Sequence, residues 1–242
     1  MDIINTELCL ADLESVDKKK TKTAKLAQAG IKQAKADLPV LEKVYDALQN
    51  GTPARALTLS EDDLEVLKEL NLITLKPVLY VLNMAEDDIA DPLANKFVQA
   101  ASAEAEKEGA KWVPISAEIE EEVSELDGEE AKAFLEDLGE EEPGLNRLIR
   151  TAYSMLGLIN FFTVGPDECR SWTVRAGTKA PKAAGKIHSD FERGFIKADV
   201  ISYEDLIANG SMTAARDKGL VRSEGKEYVM QDGDVVLFKF NV

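Results

Sequence analysis

Histidine is nearly missing from this chain of 242 residues: there is one, His188, beside two cysteines and two tryptophans. Cys9 and Cys169 lie far apart, in no C-x-x-C or metal-ligand spacing. One imidazole and two scattered thiols leave no soft-ligand set for zinc or iron, so a metalloenzyme is the weakest reading. No apolar run approaches the roughly twenty residues that a membrane helix needs. The amino terminus, MDIINTELCL, lacks the basic start and apolar middle of a signal peptide. A reduced cytoplasm fits this pattern best. The phosphate loop G-x-x-x-x-G-K-[ST] is absent too; Gly177-Thr178-Lys179 and Gly185-Lys186 are isolated pieces without strand–loop–helix context. Basic charge is in deficit: 29 Lys and Arg face 45 Asp and Glu, a net charge of −16. That balance argues against general coating of nucleic acid, DNA included.

An apolar content of 45% and a charged content of 31% describe an ordinary globular chain with enough length for one or two cores. The excess acid lies before residue 158, much of it between Glu118 and Glu142. Residues 3–35 read as one long helix with Ile4, Leu8, Val16 and Leu26 on its apolar stripe and Asp2 as N-cap. A second helix spans about Leu38–Gln49 and stops at Asn50-Gly51-Thr52-Pro53. Ser60, with Asp63 three residues on, opens a third through a capping box. These elements predict a helical hairpin over residues 1–70.

Within that hairpin, Lys18, Lys19, Lys20, Lys22 and Lys25 form the dense basic run of an acidic chain. A solvated helix face explains it, and so would phosphate contact with ribosomal or other RNA, without sequence readout. No aromatic residue lies nearby to stack on bases. Lys182, Lys186 and Arg193 make a second, smaller basic stretch with the same two readings. His188, with Asp190 two residues on, has no visible nucleophile or oxyanion partner, so a structural or surface role is expected.

Lys76–Glu86, KPVLYVLNMAE, organises the middle of the chain. Val78–Leu82 reads as a strand buried on both faces, ending in Asn83, Met84 and Glu86 at the edge where open α/β sheets bind ligands. Lys111–Ile115 reads as a second buried strand running into Ser116-Ala117-Glu118, with a crossover helix between 94 and 109. Glu118–Leu138 reads as one acidic helix closed by Gly139. Another follows from Glu142-Pro143-Gly144 to about Leu156, packing Leu148, Ile149, Ala152 and Met155 on the sheet. From Leu158 the texture becomes α+β. A hairpin of 161–164 with 171–174 turns at Gly165-Pro166-Asp167, and Ala183–Phe191 forms a short helix. Strands follow at 194–200 and 232–238, with helical stretches at 202–208 and 211–218 between them.

The two strand ends resemble the base-recognition half of a P-loop GTPase, where the loops usually read Asn-Lys-x-Asp and Ser-Ala-Lys. Here Met84 stands for the Lys, Glu86 for the Asp, and Glu118 ends the second loop. These departures are similar to those of the Obg-like ATPases, the YchF family. So are the runs INTELCLADLESV, EEPGLNRLIRTAYSMLGLINFFTVG, AAGKIHSDFERGFIKADVISYEDL and DGDVVLFKFNV, which span essentially the whole chain.

The resemblance implies an α/β plus α+β architecture. A helical, coiled-coil hairpin occupies 1–70, the C-terminal part of a GTPase-like domain 71–157, and a ubiquitin-like TGS domain 158–242. It implies binding and hydrolysis of ATP in preference to GTP by the longer family protein, and association with ribosomes. Asn83 would bond the purine, Met84 would pack on its face, and Glu86, Ser116 and Ala117 would border it. Family members begin with the phosphate loop; this sequence is expected to start inside the helical insertion, without the Mg²⁺-holding groups. The chain alone is then expected to be inactive, with partial disorder or self-association around 71–157. The alternative is a non-enzymatic adaptor for ribosomal or stress-response partners.

Overall fold

The computed structural model describes residues 1–165 and 168–241, which divide into two units, Met1–Ile115 and Ser116–Val242.

In the first unit, α1 (Asp2–Gln28) and α2 (Lys32–Gln49) pack as a helical hairpin. The single helix expected over 3–35 is broken at Gly30. Its φ of +90° suits glycine, and its amide bonds the Ala27 carbonyl while that of Ile31 bonds Leu26. Asp2 is the first helical residue rather than the cap, so its carboxylate meets the dipole of the first turn. Pro39 stands inside α2 at the loss of one backbone donor. The buried stripe of α1 is Cys9, Asp12, Val16, Thr23 and Ala27, and the expected Ile4 and Leu26 are exposed. Cys9 and Val16 pack with Leu41, Val44, Leu48, Leu67 and Leu72. α3 (Glu61–Leu67) opens on the predicted capping box: the Asp63 amide donates to Ser60 Oγ at 3.2 Å and the Ser60 amide to Asp63 Oδ2 at 2.9 Å.

β1 (Leu79–Asn83), α4 (Lys96–Lys107) and β2 (Lys111–Ile115) form the expected crossover, with the strands parallel and Asn83 level with Ile115. β1 is not buried on both faces, since Val81 is 45% exposed. An unbroken apolar run signals two covered faces only in a wide sheet, and this sheet has two strands among the described residues.

In the second unit the acidic stretch is two helices, α5 (Ala117–Glu125) and α6 (Gly128–Asp137). Asp127 divides them by accepting the Glu129 and Glu130 amides, each at 3.1 Å. α7 (Gly144–Leu156) is capped from α5, where Glu120 accepts the Gly144 and Leu145 amides at 2.7 and 3.1 Å. Leu148, Ala152 and Met155 are half-buried, whereas Ile149 is exposed.

β3 (Leu158–Val164) and β4 (Cys169–Arg175) form the antiparallel hairpin; Pro166 and Asp167 of its expected turn lie outside the described residues. α8 (Ala180–Ile187) and α9 (Ser189–Arg193) replace the one helix expected over 183–191, divided at His188. β5 (Phe195–Ser202), α10 (Tyr203–Asn209), α11 (Met212–Asp217), β6 (Arg222–Glu224) and β7 (Asp234–Phe240) complete the unit. The strands lie in the order β4-β3-β7-β5-β6, with β3 and β7 parallel and the other pairs antiparallel. Side chains alternate across the sheet. Phe161, Ala198, Val200, Val236 and Phe238 pack with Ala180, Ala183 and Ala184 of α8. Ile201 and Val235 join Ala215 of α11, with Phe162 and Leu206 packed against them.

Candidate functional site

The candidate site starts at the end of β1. Parallel pairing carries Asn83 level with Ile115, and the Met84 amide extends the ladder by donating to the Ile115 carbonyl at 3.0 Å. The chain then enters a single 3₁₀ turn, Glu86–Asp88, that buries Ile89. Asn95, the N-cap of α4, donates from its Nδ2 to Asp88 Oδ2 at 2.8 Å and closes this loop. Asn83 is exposed, and Met84 and Glu86 are half-buried.

Ser116 and Ala117 directly follow Ile115 in the chain. Ser116 is buried and caps α5, its Oγ accepting the Ile119 amide at 3.5 Å. Its hydroxyl therefore serves its own helix. Ala117 is the exposed first residue of that helix.

Three lysines of the run meet acidic partners. Lys18 pairs with Glu14 at 2.5 Å, Lys19 with Glu69 at 2.7 Å and Lys20 with Asp17 at 3.4 Å. The ammonium of Lys20 also stands 3.0 Å from the centroid of the Tyr45 ring. Lys25 borders a groove between α1 and α2 that Glu42 and Asp46 also line. Lys22 lies one turn from Lys18, on the same exposed stretch. In the second unit Lys182 meets Glu192 at 2.5 Å, Arg193 pairs with Asp190, and Lys186 lies in the last turn of α8. In both stretches acidic neighbours therefore meet part of the positive charge.

His188 has a structural task. It precedes α9 as its N-cap, with Nδ1 accepting the Asp190 amide at 3.2 Å. Because it stands outside the helix, its ring comes within 3.5 Å of the Asp190 carboxylate, closer than helical spacing would allow. No group of His, Cys, Asp and Glu among the described residues could hold a metal ion. Nor is any helix among them long and apolar enough to cross a membrane.

The sequence offered no signal for the polar cluster behind β1. Tyr80 Oη donates to Glu108 Oε2 at 2.8 Å, Asn5 Nδ2 donates to Oε1 at 2.7 Å, and Arg55 reaches Oε2 at 3.5 Å. Burial pushes the Tyr80 phenol above its ordinary value, and its bond to the Glu108 carboxylate adds to this.

A relative in Bacillus subtilis, "Ribosome-binding ATPase YchF", is 48% identical over 242 residues, all of this chain and 66% of that protein. The chain belongs to the YchF family. The relative of the same name in Escherichia coli O157:H7 is 45% identical over the same span. The solved structure "Structure of the Schizosaccharomyces pombe YchF GTPase" superposes with a TM-score of 0.85 at 36% identity, covering 98% of this chain and 64% of that one. The family profile YchF-GTPase_C, "Protein of unknown function (DUF933)", matches residues 158–241. The chain thus spans just under two thirds of the length of the curated YchF relatives it matches.

Proposed function

We propose that this chain is the arm, base-recognition and C-terminal portion of a ribosome-associated nucleotide hydrolase that prefers ATP to GTP. The observation that carries the reading is the β1–β2 pair, whose parallel register sets Asn83 beside the strand end from which Ser116 and Ala117 continue. In this reading Asn83 bonds the purine and Met84 packs on its face. Glu86 and the backbone at Ser116 and Ala117 border the base. With Glu86 in place of the shorter Asp, the loop is poorly matched to the paired N1–H and 2-amino donors of guanine, which favours adenine.

The relatives' name, an ATPase, supports ATP as the nucleotide, and Mg²⁺ would accompany it only in the longer protein, yet no segment of this sequence supplies a phosphate loop. Most affinity for a nucleoside triphosphate comes from its phosphates and metal. Titration of this chain with Mg-ATP and Mg-GTP should give no binding tighter than about 100 μM, roughly −5.5 kcal/mol. Tighter binding of either would show a pocket that works without that loop and would overturn this account.

Three domains fit the reading: the helical arm over 1–70, the base-recognition part over 71–157 and a TGS domain over 158–242. The mixed sheet order β4-β3-β7-β5-β6, packed on α8, supports a ubiquitin-like TGS fold for the last.

One observation favours the adaptor alternative. An apolar groove of about 760 Å³ opens among Phe162 and Val164 of β3, Tyr203 and Ile207 of α10, and Met212 of α11. Exposed apolar clefts of this kind mark binding surfaces. Binding of this chain to ribosomes without nucleotide, lost on Ile207→Glu with the fold intact, would favour the adaptor. Binding that needs the longer protein and ATP would favour the hydrolase.

A further inference from the structure

Two carboxylates, Asp12 buried and Glu108 half-buried, tie the arm helix to the strand that carries Asn83. Asp12, 4% exposed on α1, accepts the Ile73 amide at 3.0 Å, the Thr74 amide at 2.7 Å and the Thr74 hydroxyl at 2.6 Å. Ile73 and Thr74 lie in the 3₁₀ turn that leads into β1. Two turns earlier on α1, Asn5 holds Glu108, and the same carboxylate holds Tyr80, the second residue of β1. Arg55, from the turn Ala54–Ala56, adds a cation to Glu108, and the Ala54 amide donates to Thr74 Oγ1 at 3.3 Å. The approach to β1 is therefore bonded to α1 directly, and its body through Glu108, at one short stretch of the helix.

We infer that residues 5–12 of α1 and strand β1 move as one mechanical unit, latched by Asp12 and Glu108, so that displacement of the helical arm is transmitted to the strand end at Asn83. Coupling needs a rigid path with costly alternatives. A carboxylate withdrawn from bulk water that loses one donor is left with an under-satisfied oxygen. Loosening either end therefore loosens the other. By linkage the effect is reciprocal. That the far end of the latch meets a purine rests on the proposed function; the latch itself requires no nucleotide.

The test is amide hydrogen exchange on the whole chain without ligand, so it can fail separately from the nucleotide reading. Asn5→Ala should speed exchange over residues 79–84 by about tenfold, the scale of one charged hydrogen bond. Tyr80→Phe, which keeps the ring and the fold, should speed exchange over residues 5–12 by a similar factor. In the double variant the two effects should combine less than multiplicatively, because both act through Glu108. Lys107→Ala, which removes the exposed neighbouring pair with Glu104, should change neither segment. If each substitution acted only on its own element, the latch would be refuted. An equal rise at every amide of the first unit, α2 included, would refute it too, since Glu108 would then add only general stability.

Discussion

Asp12 gives the sharpest stability prediction. Its carboxylate is the recorded acceptor for the Ile73 and Thr74 amides. Asp12→Ala strands both donors, at roughly 1–3 kcal/mol each. The better helix propensity of alanine returns about 0.7 kcal/mol. A net loss of about 3 kcal/mol is expected, a large part of the roughly 5–15 kcal/mol available to a domain. Asp12→Asn keeps one acceptor oxygen and should lose about half as much by the same reasoning. The tryptophans divide the readout, because Trp112 lies in β2 of the first unit and Trp172 in β4 of the second. Urea unfolding followed by Trp112 fluorescence in a Trp172→Phe background measures the first unit alone. A loss below about 1 kcal/mol for Asp12→Ala would refute the claim that these amides depend on Asp12.

Three further outcomes are expected. Tyr228 donates to Asp234 at 2.8 Å, and burial together with that carboxylate pushes its phenol up to about 12. Unfolded, it titrates near 10, so its stabilising contribution is complete below that pH and lost as the pH climbs from 10 to about 12. Trp172 fluorescence in a Trp112→Phe background should show the loss, and Tyr228→Phe should flatten it. Gly194→Ala would drive a methyl group into the Asn241 backbone; about 1–3 kcal/mol should be lost from the second unit, read by the same fluorescence. Cys169 is exposed and Cys9 buried, with burial raising the Cys9 thiol pKa. A thiol reagent should therefore consume one equivalent quickly and the second only as urea opens the first unit; two fast equivalents would contradict that packing.

Local chemistry was legible wherever neighbours in sequence decide it. The Ser60 capping box, the β1–α4–β2 crossover and the β3–β4 pairing all follow from short-range pattern. The misreadings share one cause, which is that a side chain's task depends on distant partners. Gly30 and Asp127 ended helices that apolar and acidic periodicity carried through. His188 became a cap because α8 stops before it. Val81 looked like core until the strand proved to have one neighbour among the described residues. At the site, the positions of Asn83 and Ser116 were readable from strand ends, but the capping use of the Ser116 hydroxyl was not. Nor could the lysine run show that Glu69, fifty residues on, would meet Lys19. Glu108 gave no signal at all, because Asn5 and Tyr80 reach it from 103 and 28 residues away.

The spacing of these elements also orders how the first unit assembles. Only Ala29–Ile31 separates α1 from α2, so their pairing closes a short loop and comes early. Joining β1 to β2 must wait for all of 84–110 to be gathered, α4 included. Until then both ladder edges of β1 are open, where afterwards β2 covers one, and a neighbouring chain could occupy either. Newly made protein is most exposed to misassembly in that interval, and quick formation of α4 is what shortens it.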